Sequence, residues 1–167
     1  TKMVGRKMDN VYPVKEAEIG EKLLEVKNLT QPGVFSNISF TLRRGEILGM
    51  SGLVGAGRTE VVRAIFGMDP YSSGEIVING KSVVIKKVSD AIQEGIIMLS
   101  EDRKLEGLVL IRSICENIGL PNLKRYRGFL LNKKREKEDA LEMKEKLAIK
   151  APTIAVEAQN LSGGNQQ

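Results

Sequence analysis

The sequence predicts an α/β fold, and three local patterns support that class. Residues 47–50 form a short apolar run, as in a strand buried on both faces of a parallel sheet. The glycine-rich residues 52–59 follow, and the apolar positions of residues 60–66 then have helical spacing, with Gly67 placed to end the helix. Elsewhere, alternating apolar and polar residues predict antiparallel strands. We therefore expect a parallel core accompanied by an antiparallel β subdomain.

The glycine-rich stretch has the composition of a phosphate-binding loop. Glycines let consecutive backbone N–H groups turn towards an anion, and the start of the following helix adds the positive end of its dipole. Gly52, Gly57 and Thr59 fit the template G-x-x-x-x-G-K-[ST], whereas Arg58 stands in the place of the lysine. The alternative is a tight strand-to-helix connection that binds nothing. The predicted nucleotide-binding residues are Gly52, Leu53, Val54, Gly55, Ala56, Gly57, Arg58, Thr59 and Glu60.

The exchange of lysine for arginine bears on the chemistry of this loop. The template lysine is a compact point charge that reaches the β- and γ-phosphates, whereas a guanidinium is planar, bulkier and suited to bidentate contacts. Arg58 keeps the charge but not the geometry. We therefore expect phosphate binding to survive the exchange better than hydrolysis.

Composition narrows the classes of function. With a net charge of +5 in 167 residues, no long basic tract and 4% aromatic residues, nucleic acid is a minor alternative and is not an expected partner. The single Cys115 excludes an internal disulfide framework, and the absence of histidine removes a His-based catalytic or metal site from these residues. No apolar run approaches the roughly 20 residues that span a bilayer, so a cytoplasmic protein is expected.

Further strands and a short helix are predicted around the loop. Residues 23–27 and 38–42 are predicted strands, and residues 75–80 form a strand whose Asn-Gly turn leads into residues 82–85 as a hairpin partner. The next element is a helix that Ser89 is placed to cap.

Another buried strand is predicted at residues 96–99, after a helix stop at Gly95. The charged residues 100–104 follow its carboxyl end. In open α/β sheets ligands bind at that edge, although a solvated turn would have the same composition.

The last third is predicted to be helical. Ser113 and Glu116 have the spacing of a capping box and open a helix that stops near Pro121, in which Cys115 is a packing residue rather than a nucleophile. Residues 132–149 form the longest predicted helix. The helix dipole disfavours its leading cations, so either the helix begins later or an acidic group lies opposite them. The predicted apolar face comprises Ala140, Leu141, Met143, Leu147 and Ala148.

The chain ends in Asn-Leu-Ser-Gly-Gly-Asn-Gln-Gln, residues 160–167. Ser162 is a good N-cap, and the two glycines after it let an anion approach the amides of a helix start; a plain capping turn is the alternative. Together with the phosphate loop, Leu-Ser-Gly-Gly resembles the signature motif of the nucleotide-binding domain of ABC transporters. The candidate signature residues are Leu161, Ser162, Gly163, Gly164, Asn165 and Gln166.

The resemblance covers essentially the whole chain. Residues 52–59, 100–109 and 161–167 are similar to the second half of the tandem ATPases that drive ribose-, galactoside- and xylose-type sugar importers, and residues 3–6 are similar to the join between the two halves. The resemblance implies a P-loop NTPase core of the ABC ATPase type. The implied domains are an inter-domain linker over residues 1–20, a nucleotide-binding core with an antiparallel β subdomain over residues 21–111, and a helical subdomain over residues 112–167.

The resemblance also implies roles for matching residues. Residues 52–59 would be the Walker A loop that binds ATP, with the Thr59 hydroxyl on Mg²⁺, and Glu101 stands at the Q-loop position near the permease. Residues 161–166 would face the ATP held by the partner half. The implied partners are the other nucleotide-binding half, transmembrane permease subunits and, indirectly, a sugar-binding protein, which places the protein at the inner face of the cell membrane.

Departures from the family pattern limit what the chain does alone. Arg58 and Glu101 replace a lysine and a glutamine, and Phe35, the nearest aromatic residue for stacking adenine, is better suited to packing. The Walker B aspartate, the catalytic glutamate and the switch histidine would all follow Gln167. We therefore expect an incomplete core without ATP turnover, with uncovered sheet edges and either association or a loosened final third. A catalytically silent nucleotide-sensing or coupling module is the alternative.

Overall fold

The computed structural model describes residues 17–128 and 131–167. The chain divides into two compact units, of which the first ends at Met98 and the second begins at Leu99. The domain boundaries drawn from the sequence stay predictions. The residues that resemble the join between ATPase halves lie outside the described residues.

The first unit is built on an antiparallel sheet. Its strands are β1 (Lys22–Gln31), β2 (Phe35–Arg43), β3 (Ser73–Ile78) and β4 (Lys81–Val83). The order across the sheet is β2-β1-β3-β4, so β1 pairs with β2 on one edge and with β3 on the other. The predicted hairpin is confirmed, and it turns through Asn79 and Gly80, whose φ values are 49° and 76°. A two-residue turn of this kind matches the right-handed twist of the strands that flank it.

Helix α1, Arg58–Ile65, packs against this sheet and confirms the helix predicted after the glycine loop. The helix ends where Gly67, at a φ of 75°, donates its N–H to Ala64 O at 3.1 Å. Full burial of a side chain such as Val61 or Ile65 of α1 stabilises the fold by roughly 1.5–3 kcal/mol. The core also takes in Ala91 of helix α2, Val88–Gln93. Its members are Val26, Leu29, Phe35, Val61, Ala64, Ile65, Phe66, Ile76, Ile78, Ile85 and Ala91.

The two buried parallel strands predicted from apolar composition are wrong. Within the described residues, residues 47–50 pair with no strand, and Ile47 is 80% exposed. Residues 96–99 also form no strand, and Ile97 is 82% exposed. A strand buried on both faces needs hydrogen-bonded neighbours and a covering layer on each side. The sheet of the described chain is antiparallel throughout and supplies neither.

The helix predicted near residue 90 is confirmed, but its predicted cap is wrong. Helix α2 follows Lys87, and Ser89 lies inside the helix rather than before it. Asp90 Oδ2 instead accepts the Lys86 N–H at 3.1 Å. This bond ties the chain before the helix to its first turn, and within the described residues no side chain caps the N–H groups at the start of α2.

The second unit is helical. Its helices are α3 (Ile114–Gly119), α4 (Lys133–Lys146) and α5 (Gly163–Gln166). The predicted capping box is confirmed: Ser113 Oγ accepts the Glu116 N–H at 3.2 Å, and Glu116 Oε2 accepts the Ser113 N–H at 3.0 Å. Two otherwise unpaired donors at the start of α3 are thereby satisfied. In the described part of the chain, no helix has the length and apolar composition needed to cross a membrane.

Helix α4 begins at Lys133, so the cations predicted at its start are part of the helix. The acidic group that was expected opposite them is Glu136, which lies on α4 itself. Lys133 Nζ is 2.8 Å from Glu136 Oε2, and Glu136 is only 5% exposed. This hydrogen bond is the main cause that raises the pKa of Lys133. The predicted apolar face is only partly right, because Ala140 is buried whereas Leu141 and Leu147 are exposed.

Candidate functional site

The glycine loop of the first unit has a backbone that only glycine adopts readily. Gly55 and Gly57 have φ values of 81° and 79°, in the left-handed region that side chains disfavour. The N–H of Ala56 donates to Leu53 O at 3.1 Å and closes a turn. A Cβ on Gly57 would lie 3.2 Å from Val34 O, so the chain between β1 and β2 packs closely under the loop.

The start of α1 presents backbone donors to solvent. The first intrahelical bond runs from the Val61 N–H to Gly57 O at 3.0 Å. Among the described residues, no backbone acceptor binds the N–H groups of residues 58–60, and all three residues are exposed. The side chains of Leu53 and Val54 are exposed as well and do not fill the loop. Unpaired amides at the positive end of a helix dipole form an anion-binding site.

The side chain of Arg58 lies beside the loop. A Cβ on Gly52 would be 3.6 Å from Arg58 Cδ and 3.8 Å from its Nε. No carboxylate of residues 17–128 or 131–167 forms an ion pair with the guanidinium. The positive charge of Arg58 is therefore free to act on an anion that the loop binds.

The loop offers one hydroxyl for a metal ion held by phosphate. Thr59 is exposed as the second residue of α1. No group of three or more His, Cys, Asp or Glu side chains among the described residues could hold a metal by itself. These residues therefore fit the phosphates of a nucleotide and, through Thr59, a phosphate-bound Mg²⁺. Phe35 is buried in the core, as the sequence predicts for a packing residue.

In the second unit, Glu101 is exposed at the start of the charged loop that the sequence places after residue 99. Asp102 shapes this loop, because its Oδ1 accepts the N–H groups of Lys104 at 2.8 Å and Leu105 at 3.1 Å. These bonds cap the π-helical turn Arg103–Gly107. A carboxylate that caps a turn leaves less backbone freedom to the residues around it.

The candidate signature residues form the last helical turn of the chain. Ser162 stands at the N-cap of α5, as predicted, but its hydroxyl makes no cap bond to the backbone. Its Oγ instead accepts Asn165 Nδ2 at 2.9 Å, and its carbonyl accepts the Gln166 N–H at 3.0 Å. Gly163 and Gly164 are exposed, so an anion can approach their backbone.

Sequence reasoning missed a contact that joins the charged loop to the signature turn. Arg103 Nε donates to Gln166 Oε1 at 3.4 Å across a separation of 63 residues. No local spacing rule connects residues so far apart. The only signal was the run of charges that begins the loop.

Cys115 is partly buried, as the sequence predicts for a packing residue. Burial, followed by the Glu136 carboxylate, raises the pKa of its thiol. The thiolate is the reactive form, so a raised pKa disfavours reaction at this residue.

An open glycine loop that leads into a helix, with amides at the helix start that are unpaired within the described part of the chain, is the local arrangement typical of P-loop nucleotide-binding domains. The family model described as "ABC transporter" matches residues 35–167. The chain belongs to the ABC transporter family, and its fold is that of an ABC-type P-loop ATPase.

Curated relatives of the chain are sugar import proteins by name. The chain is 52% identical over 168 residues to the ribose import ATP-binding protein RbsA of Bacillus licheniformis, covering 99% of this chain and 34% of that protein. It is 49% identical over 168 residues to the putative ribose/galactose/methyl galactoside import ATP-binding protein 1 of Rhizobium etli, covering 100% of this chain and 32% of that protein. The chain thus spans about a third of the length of the curated relatives it matches.

Solved structures with a similar fold are ATP-binding cassettes of ABC transporters. One, in its ADP conformation, superposes with a TM-score of 0.68 at 18% identity, covering 87% of this chain and 61% of that chain. Another, a dimeric post-hydrolysis state bound to ADP and Pi, has a TM-score of 0.59 at 21% identity, covering 86% of this chain and 65% of that chain. At such identities the likeness concerns the fold.

Proposed function

We propose that this chain is part of the ATP-binding subunit of a sugar ABC importer and binds ATP with Mg²⁺ at residues 52–60. The observation that carries the proposal is the set of N–H groups at the start of α1 that have no partner among the described residues, beside left-handed glycines and Arg58, which forms no ion pair within that part of the chain. Identities of 45–52% to ribose import ATP-binding proteins support the choice of a sugar importer.

The residues of the loop divide the work of holding the nucleotide. The amides within residues 52–60 that make no bond in the loop and the Arg58 guanidinium bind the phosphates, and the Thr59 hydroxyl binds phosphate-bound Mg²⁺. Bound Mg²⁺ supplies positive charge that neutralises phosphate oxygens. Glu101 takes the Q-loop position, and the exposed glycines within residues 161–166 serve the ATP held by the partner half.

The proposed whole protein is longer than this chain. The chain is then the front part of the second ATPase half, and its partners are the other nucleotide-binding half, the permease subunits and, indirectly, a sugar-binding protein. Such a protein is peripheral on the cytoplasmic face of the cell membrane. Phosphoryl transfer depends on positioning and charge around the metal. We therefore expect this chain alone to bind ATP without turning it over.

A second candidate function rests on Arg58, which stands in the place of the template lysine. A guanidinium binds phosphate well but does not reproduce the point charge of lysine. The site would then bind ATP and couple motion without hydrolysis. In the longer protein, a gain of turnover at this site on Arg58→Lys supports the silent module, whereas an unchanged rate favours the importer ATPase.

Titration with Mg·ATP during thermal unfolding of this chain tests the proposed binding. A ligand that binds only the folded state stabilises it by about 2.7 kcal/mol at 100 times its Kd. We expect Arg58→Ala and Thr59→Ala to reduce the rise in Tm. Lys81→Ala, which removes an exposed cation from β4, is the matched control and leaves the rise unchanged. A folded wild-type chain whose Tm does not move at millimolar Mg·ATP contradicts the proposal.

A further inference from the structure

Arg103 connects the charged loop of the second unit to the last helical turn. Its Nε donates to Gln166 Oε1 at 3.4 Å. A Cβ on Gly163 would lie 2.9 Å from Arg103 Nη2, so the guanidinium occupies the space that a side chain at this position would need. One partly buried side chain therefore contacts both the first and the last residue of α5.

The backbone of Arg103 is fixed independently of this contact. Asp102 caps the turn that begins at Arg103. The N–H of Leu108 donates to Arg103 O at 2.8 Å, and the N–H of Glu106 donates to Asp102 O at 2.9 Å. With bonds on both sides, the guanidinium extends from a constrained base.

Gln166 is also held from a second side. Its Nε2 donates to Ala158 O at 2.9 Å, and the N–H of Ala158 donates to Arg112 O at 2.9 Å. The side-chain amide of Gln166 thus bridges the Arg103 guanidinium and Ala158, and Ala158 is in turn bonded to Arg112, just before α3. Both hydrogen-bonding ends of this amide are in use, which fixes its orientation.

We propose that Arg103 is a positioning residue that holds Gly163 and Gly164 in place for the nucleotide of the partner half and joins them to the Glu101 loop. The inference rests on the proposed function and deepens it. The guanidinium places Nη2 beside Gly163 while its Nε donates to Gln166, which a lysine ammonium, with a single nitrogen, does not reproduce.

A double-mutant cycle in this chain tests the contact. Gly163→Ala puts a Cβ against Arg103, and Gly164→Ala is the matched control, since its Cβ would meet no atom within 4 Å. The amides of residues 166–167, which bond to carbonyls at the start of α5, report on the turn through solvent exchange measured by NMR. We expect Gly163→Ala to speed this exchange roughly three- to tenfold, the scale of one lost hydrogen bond. In an Arg103→Ala chain the same change has little effect, whereas strictly additive effects overturn the contact.

The positioning role is tested in the tandem protein that the proposed function places around this chain. Arg103→Ala lowers kcat for ATP hydrolysis roughly tenfold, because misplaced groups cost catalysis steeply, and Arg103→Lys restores part of the loss. In the isolated chain, Arg103→Ala leaves the rise in Tm with Mg·ATP at its wild-type value, because Arg103 lies outside residues 52–60. Lys104→Ala, which removes an exposed cation from the same loop, leaves kcat unchanged. An unchanged kcat for Arg103→Ala overturns the positioning role of Arg103. A wild-type chain that binds no ATP overturns the proposed function instead. The double-mutant cycle then still decides whether Arg103 contacts Gly163.

Discussion

Gly52 and Arg58 lie side by side in the glycine loop. A Cβ on Gly52 would be 3.6 Å from Arg58 Cδ and 3.0 Å from Ala56 Cβ. The second distance is tighter than ordinary van der Waals contact, so position 52 has no room for a side chain unless Ala56 moves. The glycine therefore lets the backbone at position 52 pack closely against Ala56, with the Arg58 side chain alongside.

Gly52→Ala should weaken ATP binding more than it weakens the fold. Its Cβ would push on Ala56 and so shift the loop that holds the phosphates, and we expect the Kd for Mg·ATP to rise about tenfold, which is about 1.4 kcal/mol of binding free energy. Gly49→Ala is the control, because a Cβ there would meet no atom within 4 Å. Calorimetric titration of both variants measures the difference. Equal affinities would show that the loop accepts the methyl group.

Gly57→Ala should lower the free energy of unfolding more than Gly33→Ala does. The two glycines have nearly the same φ, 79° and 78°, so each change brings a left-handed strain of about 1–2 kcal/mol. Only the Cβ at position 57 also meets a carbonyl, Val34 O at 3.2 Å, whereas the one at position 33 meets nothing within 4 Å. Denaturant unfolding compares the two variants, and an equal loss for both would mean that the Val34 carbonyl gives way.

Features specified by neighbouring residues could be predicted from the sequence. The Asn-Gly pair fixed the β3–β4 hairpin because both residues accept the positive φ that its turn needs. The spacing of Ser113 and Glu116 fixed the start of α3 because the capping box involves only four consecutive residues. In both cases the interacting groups lie within one turn of chain.

Features that depend on distant partners could not be predicted. Residues 47–50 are apolar enough for a buried strand, but burial requires neighbours that the described sheet does not provide. The contact between Arg103 and Gln166 likewise depends on a fold that brings separate segments together. Ser89 shows a local failure, since α2 begins at Val88, one residue earlier than a Ser89 cap requires.

Acid should loosen the start of α3 through Glu116. The Ser113 N–H, followed by the Ser113 hydroxyl, holds the pKa of the Glu116 carboxyl below its ordinary value. Because this pKa is lower in the folded state, the stability it contributes is complete above the unfolded pKa and is lost as pH falls through the folded pKa, below the ordinary range of a glutamate. Ser113→Ala should raise the pKa of Glu116 only part of the way to its ordinary value, since the N–H of residue 113 still donates. Ser113→Thr should leave this pKa unchanged, since threonine keeps the hydroxyl. NMR titration of the Glu116 carboxyl carbon measures the pKa in the wild-type chain and in both variants. An identical pKa in the wild-type chain and in Ser113→Ala would contradict this account.

The exposed apolar segments of the first unit should make the chain associate. Ile47 is 80% exposed and Ile97 is 82% exposed, although both lie in apolar runs. Exposed apolar segments without strand partners favour contact between chains. We expect the mass measured by light scattering to rise with protein concentration, and Ile47→Lys and Ile97→Lys to reduce that rise. Val84→Lys, at a 69% exposed site between β4 and α2, is the control and should change it little. A constant monomer mass, or equal behaviour of all three variants, would mean that these side chains remain solvated and take no part in association.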